Sequence, residues 1–167
     1  MLGHYEHFPN AIHGSSRFIT STSTKVIQET LMKTLFTIND ETFKLEDITY
    51  PTVPNCTVIF EFGIAEGNGF NYLTAEETNK SLKTLRKTPL RMLDFLCDIR
   101  YYRNPEKRKT ALRFDYYMLR FIFDPQQMDV QISHEKGPRR VAPDDVINFI
   151  AERVNNTSSK KILKILE

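Results

Sequence analysis

The 167-residue chain has the length of one domain and can bury roughly two thirds of its unfolded surface, so one hydrophobic core can stabilise it. Hydrophobic residues make up 40% and charged residues 26% of the sequence, a composition that excludes disordered and fibrous proteins. The net charge of +2 is unevenly divided, because residues 1–79 are acidic and residues 80–167 are basic. A basic half of this kind either binds a polyanion or attracts the acidic half.

The N-terminal sequence MLGHYEHFPNAIHG has neither a basic leader nor an apolar run, and no segment approaches the roughly 18 apolar residues that span a bilayer. We therefore predict a soluble, cytoplasmic protein that makes no membrane contact. Cys56 and Cys97 both lie in apolar surroundings, which predicts two buried free thiols and argues against a disulfide framework.

The first part of the chain alternates between extended and helical patterns. Its clearest strand, 56–64, has apolar residues at every second position. The Asn68-Gly69 turn after it predicts a hairpin, because both residues tolerate positive φ. The predicted elements here are a strand at 17–21, a helix at 23–37, and strands at 43–50, 56–64 and 70–73.

Two consecutive helices are predicted next. Thr74 and Glu77 have the spacing of a capping box, which predicts a helix over 75–87. Thr88-Pro89 repeats the signal for a helix start and predicts a second helix over 89–102. Its apolar residues occupy more than one face, so we expect this helix to be deeply buried or covered by a partner.

An extended pattern returns at 112–123 and 128–135, and the DPQQ sequence between them predicts a hairpin. The apolar alternation changes phase after Met118, which indicates a β-bulge or a strand covered on both faces. A last helix is predicted to begin at Pro143, followed by aspartates that suit the positive end of the helix dipole.

These elements predict a single α+β domain over residues 1–155, with three to four helices packed on a mixed or mainly antiparallel sheet of about five strands. The 112–123 and 128–135 strands are expected to form a central hairpin, and the 89–102 helix to pack across the sheet. Residues 156–167 are predicted to be a polar hinge and a short amphipathic tail.

The sequence HEKGPRR at 134–140 is the main candidate for a binding site. Its Gly-Pro step predicts a turn that holds Lys136, Arg139 and Arg140 near the surface, and arginine forks match phosphate or carboxylate oxygens in pairs. The alternative is a local network of ion pairs, because three acidic residues flank the turn: Glu135, Asp144 and Asp145.

A second concentration of cations, RYYRNPEKRKTALRF, is interleaved with aromatic residues, the combination that phosphate neutralisation and base stacking need. We expect the return of the chain through the sheet to bring Arg103, Lys107 or Arg108 near the HEKGPRR turn. The alternative is that the adjacent Tyr101 and Tyr102 only complete a buried element. No RNA- or DNA-binding motif accompanies the pattern.

His134 continues the inward face of its predicted strand, where it is expected to pair with Glu61 or Asp115. A general acid or base is the alternative role for this histidine. The chain contains no GxGxxG, Walker, HExxH or GxSxG motif, so we predict neither a cofactor nor a metal.

We interpret the chain as a non-enzymatic binding module or a subunit of a protein assembly, which uses the apolar 89–102 helix and the basic C-terminal half. A protein partner or a second copy of the chain would then cover the apolar face. Two alternatives stay open at this point: an RNA- or DNA-backbone-binding domain, and an enzyme acting on a phosphorylated small molecule.

Overall fold

The computed structural model describes residues 7–39, 41–50, 54–103 and 110–166, and at 110 and 111 it describes the backbone alone. Within these residues the chain forms nine strands and three α-helices. The strands are β1 (Gly14–Thr20), β2 (Thr42–Lys44), β3 (Cys56–Glu66), β4 (Gly69–Tyr72), β5 (Met92–Arg103), β6 (Thr110–Ala111), β7 (Asp115–Asp124), β8 (Gln127–Lys136) and β9 (Leu163–Ile165). The helices are α1 (Thr24–Asn39), α2 (Ala75–Lys87) and α3 (Pro143–Thr157), and a 3₁₀ turn, Leu45–Asp47, follows β2.

The nine strands form one sheet in the order β2-β3-β5-β7-β8-β1-β9, with β4 paired to β3 and β6 paired to β5. Every strand pair in it is antiparallel. The predicted α+β class with an antiparallel sheet is therefore confirmed for the described residues. The sheet is larger than the predicted one of about five strands.

The helices pack on one face of the sheet, where alternate residues of the long strands are fully buried. Phe60 of β3 stacks on Phe149 of α3 at 5.1 Å between ring centroids, and Phe95 of β5 meets the edge of Phe121 of β7 at 5.6 Å. One hydrophobic core thus joins the sheet to the helices.

The helix predicted over 89–102 is wrong, because most of this segment is strand β5. Its odd-numbered residues from 93 to 101 are apolar and buried in the core. Its even-numbered positions face the opposite side of the sheet, where the Asp94 carboxylate accepts two hydrogen bonds from Arg120, both 2.8 Å. Burial on both faces produced the apolar pattern that had indicated a helix. The buried Gln28 side chain binds the backbone of Leu90, two residues before β5 begins.

Two other predictions differ from the structure. The strand predicted over 43–50 is short and gives way to the 3₁₀ turn after Lys44. The segment predicted as a tail, within 156–167, begins with the end of α3 and continues into β9, which pairs with β1 and so belongs to the sheet. The phase change after Met118, in contrast, agrees with one of its two predicted explanations, because Met118 and Leu119 are both buried although they face opposite sides of the sheet. The register shift between β7 and β8 lies just before it, at Tyr116 and Tyr117.

Cys56 and Cys97 are both buried free thiols, as predicted. Burial raises the pKa of each thiol above its ordinary value. None of the described helices combines the length and the apolar character that crossing a membrane would require.

Candidate functional site

The HEKGPRR turn closes over the fully buried carboxylate of Asp115, the first residue of β7. The backbone N–H of Arg139 donates to Asp115 Oδ1 at 2.6 Å, and the backbone N–H of Arg140 donates to Oδ2 at 2.9 Å. The Tyr101 hydroxyl donates to Oδ2 at 2.6 Å, and His134 Nε2 lies 2.8 Å from Oδ1. The turn therefore does bind an anion through its backbone, but that anion is a carboxylate of the same chain.

Gly137 allows the turn to approach β7 this closely. Its φ is +111°, and a Cβ atom at this position would lie 2.3 Å from the Phe114 carbonyl oxygen and 2.4 Å from Asp115 Oδ1. No larger residue can occupy that space without displacing the backbone. Arg139 also has a positive φ, 57°, which aims two successive backbone N–H groups at one carboxylate.

Aromatic side chains complete the surroundings of Asp115. The Tyr117 hydroxyl donates to the Val141 carbonyl, and its ring meets the edge of the His134 ring at 5.0 Å. Burial, together with the Asp115 carboxylate, raises the pKa of the Tyr101 and Tyr117 hydroxyls well above the ordinary value. Both hydroxyls thus stay protonated at physiological pH and hold β5, β7 and the start of α3 together.

His134 pairs with Asp115, one of the two carboxylates predicted for it. Its backbone N–H also donates to the ring of His13 at 2.8 Å, and its side chain is only 10% exposed. These contacts attach the segment before β1 to the end of β8. The geometry thus gives His134 a clear role in holding the strands together.

The predicted anion-binding residues fall partly within the described chain. Lys136 and Arg139 are exposed, as is Arg103 at the end of β5. The Arg140 guanidinium lies 5.9 Å from the centre of the Tyr101 ring. Lys107 and Arg108 lie outside the described residues. Binding of an anion by these side chains stays a prediction.

The predicted ion pairs between the arginines and the flanking acidic residues do not appear in the described part of the chain. Arg139 and Arg140 bind Asp115 through backbone N–H groups, and no described ion pair joins their guanidinium groups to a carboxylate. Asp145 instead accepts a hydrogen bond from the Thr49 hydroxyl at 2.6 Å. The turn is therefore held by its backbone, and the guanidinium groups do not bind Asp115. We call the hydrogen bonds that join Asp115 to the backbone of Arg139 and Arg140, the Tyr101 hydroxyl and His134 the Asp115 clamp.

A second feature, which the sequence analysis did not predict, is the outer edge of β1. This strand pairs with β8 over Gly14–Ile19 but with β9 only over Phe18–Thr20. One further bond, from the Leu166 N–H to the Arg17 carbonyl at 2.8 Å, extends the β9 side. Beyond it, nothing in the described part of the chain pairs with this side of β1.

The backbone of Ser15 points to this open edge. Along β1, the Thr20 N–H bonds toward the β8 side, to Gln126, whereas the Arg17 carbonyl and the Ser21 N–H bond toward the β9 segment. Because the groups of successive strand residues point in opposite directions, Ser15 shares the direction of Arg17. Among the described residues, no strand pairs with its N–H and carbonyl.

A groove of about 510 Å³ lies beside this edge. On the face of the sheet away from the helices, Arg17 and Asp129 form an ion pair of 2.8 Å within its lining. At the other end, Ile165 is 50% and Leu166 44% exposed. The groove is lined by Ser15, Ser16, Arg17, Asp129, Val130, Gln131, Ile165 and Leu166.

The start of β9, in contrast, is already covered by Asn155 of α3. The Asn155 side-chain carbonyl accepts the backbone N–H groups of Ile162 and Leu163, and its amide donates to the Leu163 carbonyl. These backbone groups are already hydrogen-bonded to Asn155, so they cannot also pair with an added strand. Within the described residues, the open part of the edge is thus the part of β1 that precedes Arg17, where pairing with the β9 segment ends.

Two other kinds of site have less support within the described residues. The apolar cavity between α1, α3 and the sheet measures about 10 Å³, near the lower limit for one water molecule. In the same part of the chain, no three His, Cys, Asp or Glu side chains are grouped so that they could share a metal ion.

A comparison of the chain with known protein families, curated proteins and solved structures finds no match. Proposals about function therefore rest on the geometry of the Asp115 clamp, the cations around it and the open edge of β1.

Proposed function

We propose that the chain is a non-enzymatic protein-binding module, or a subunit of a protein assembly, whose β1 edge accepts an extended segment of a protein partner. The observation that supports this most strongly is the open outer side of β1 beside the exposed end of β9. Unpaired backbone groups on an edge strand are a template for another strand. Strand addition of this kind is a recurring mode of peptide recognition, with main-chain hydrogen bonds giving affinity and side-chain pockets giving specificity.

The lining of the groove favours a partner segment of a particular chemistry. The open stretch Gly14–Ser16 matches about three residues of extended chain, at roughly 3.3 Å per residue. Ile165 and Leu166 favour an apolar side chain at one end of the segment. The Arg17–Asp129 ion pair favours polar side chains on the face of the sheet away from the helices. The segment 89–102 no longer supports the proposal, because it is an interior strand of the sheet.

A substitution at Ser15 tests the proposal. Ser15→Pro removes the outward N–H and places a ring in the open edge, while an edge strand tolerates proline at a residue whose N–H faces solvent. Peptides selected from a displayed random library on the wild-type protein are expected to bind Ser15→Pro about tenfold more weakly or worse, because one main-chain hydrogen bond and the packing beside it are removed.

Ser15→Ala is the matched control, because it removes the hydroxyl and keeps the N–H. It is expected to bind the same peptides with unchanged affinity, and both variants should keep the thermal unfolding temperature of the wild type. Equal binding by Ser15→Pro and wild type would contradict strand addition at this edge. A dimer in sedimentation equilibrium that Ser15→Pro abolishes would identify a second copy of the chain as the occupant.

A further inference from the structure

A group of cations lies at one end of the sheet, around the Asp115 clamp. The clamp itself brings the HEKGPRR turn against the start of β7, since Arg139 and Arg140 bind the Asp115 carboxylate. We call this group the basic end. It consists of Arg103, Arg113, Lys136, Arg139 and Arg140.

The sheet register places the other members beside the clamp. Arg113 precedes Asp115 by two residues, and Lys136 lies directly opposite Tyr116, the next residue of β7. Arg103 ends β5 and lies opposite Cys56 of β3. Arg140 is close enough to Cys56 to oppose the rise in its pKa that burial causes. All five cations thus occupy the same end of the sheet.

The arginines of the basic end differ from the other described arginines in having no described counter-ion. Every other arginine in the described part of the chain lies within 4.0 Å of a carboxylate. These paired arginines are Arg17, Arg86, Arg91, Arg100, Arg120 and Arg153. In the same part of the chain, no ion pair is found for the four arginines of the basic end, and the buried Arg140 Nε has no hydrogen-bond partner. Among the described residues, no carboxylate lies within ion-pair distance of these four guanidinium groups.

An exposed aromatic ring lies within the basic end. Phe114 is 44% exposed and adjacent to Arg113. Its ring meets the edge of the Tyr116 ring at 5.1 Å, which fixes its orientation. Cations beside a fixed, exposed ring are the combination that binds phosphates and stacks a base. An acidic peptide would use the cations but has no need of the ring.

We propose that the basic end binds single-stranded nucleic acid, with its cations on the phosphates and Phe114 stacked on a base. The clamp supports this role, because it uses backbone N–H groups to bind Asp115 and leaves the side chains of Arg139 and Arg140 outside it. The proposal is independent of the outer edge of β1, because β8 lies between β1 and the other strands of the basic end, β5 and β7.

The test is the affinity of a fluorescein-labelled 12-nucleotide oligouridylate, measured by anisotropy over a range of salt concentrations. Arg139→Ala with Arg140→Ala is expected to weaken binding about tenfold or more and to reduce the salt slope by roughly 0.7 for each phosphate that the variant no longer neutralises. The backbone donors to Asp115 remain, so thermal unfolding should be little changed. Phe114→Ala is expected to weaken binding about tenfold, because it removes the ring on which a base stacks.

Lys160→Ala with Lys161→Ala is the matched control, since it removes two adjacent exposed cations from the segment before β9. It should bind the oligonucleotide within about twofold of wild type, and Ser15→Pro should do the same. The proposal would be overturned if the Arg139, Arg140 double variant bound the oligonucleotide as tightly as the wild type does. It would also be overturned if the lysine control lost as much affinity as the double variant. Unchanged binding by Phe114→Ala, or tighter binding of polyglutamate than of the oligonucleotide at the same salt concentration, would likewise overturn it. If the double variant unfolds, Arg113→Ala with Lys136→Ala replaces it, with the same expected loss.

Discussion

Replacing Asp115 with alanine is expected to lower the free energy of unfolding by about 3–5 kcal/mol, the usual cost of removing one partner from a buried charged network. The loss follows from what remains behind. The backbone N–H groups of Arg139 and Arg140 and the Tyr101 hydroxyl would lose their acceptor, and His134 would lose its partner, around a carboxylate that is fully buried. Urea unfolding followed by circular dichroism measures the change.

Asp129→Ala is the control for this prediction. Asp129 is also paired with an arginine, but that ion pair is exposed, and removing it should have a much smaller effect on unfolding. Equal losses for the two variants would show that the Asp115 clamp contributes no more than a surface ion pair. That result would contradict the structural role assigned to the HEKGPRR turn.

Replacing Gly137 with alanine is expected to destabilise the protein by about 2–4 kcal/mol, because backbone strain at positive φ is combined with a contact that cannot relax cheaply. The added Cβ would meet backbone atoms of Phe114 and Asp115 and one oxygen of the clamp. We expect the Asp115 hydrogen bonds to lengthen as the turn moves away. Denaturant unfolding gives the free energy, and the amide NMR shifts of Arg139 and Arg140 report the movement.

Gly67→Ala separates the two causes. Gly67 also has a positive φ, +62°, but a Cβ there would meet nothing within 4 Å. Its replacement should therefore cost only the strain of the left-handed conformation, about 1 kcal/mol. If the two glycine variants were equally stable, the close approach at Gly137 would have no energetic consequence.

The helices and hairpins with local signals could be predicted from the sequence. The capping box at Thr74 placed α2 correctly, and the Thr74 hydroxyl accepts the Glu77 N–H as that signal requires. The hairpin of β7 and β8 followed from two alternating strands and the turn between them. These features depend on interactions between neighbours in the chain, which a single sequence contains.

Strand β5 could not be recognised from its apolar content, since a strand buried on both faces resembles a buried helix. The decisive signal was weak: between Met92 and Tyr102, charged residues occur only at even positions, at Asp94, Asp98 and Arg100. Asp94 tolerates burial because Arg120 comes from a strand 26 residues later. A tertiary contact of that kind cannot be inferred from local spacing.

The candidate sites show the same division between local and distant information. The Gly-Pro turn and its cations were visible in the sequence, but the ligand of the turn, Asp115, was identified only by the sheet register. The open edge of β1 depends on how far its pairing with β9 extends, and these two strands are more than 140 residues apart in the sequence. Asn155 covers the start of β9 from another element, and its role likewise has no local signal.

Residue-resolved amide hydrogen exchange most directly tests the claim that the β1 edge is open and accepts a strand. In the isolated protein the Ser15 amide should exchange nearly as fast as an amide in an unfolded chain, whereas the Ser16 amide, directed toward β8, should be strongly protected. Adding a peptide selected on the wild-type protein should slow exchange at Ser15 about tenfold or more and leave Ser16 unchanged. Protection of Ser15 in the isolated monomer, or continued fast exchange at Ser15 with the peptide bound, would contradict strand addition at β1.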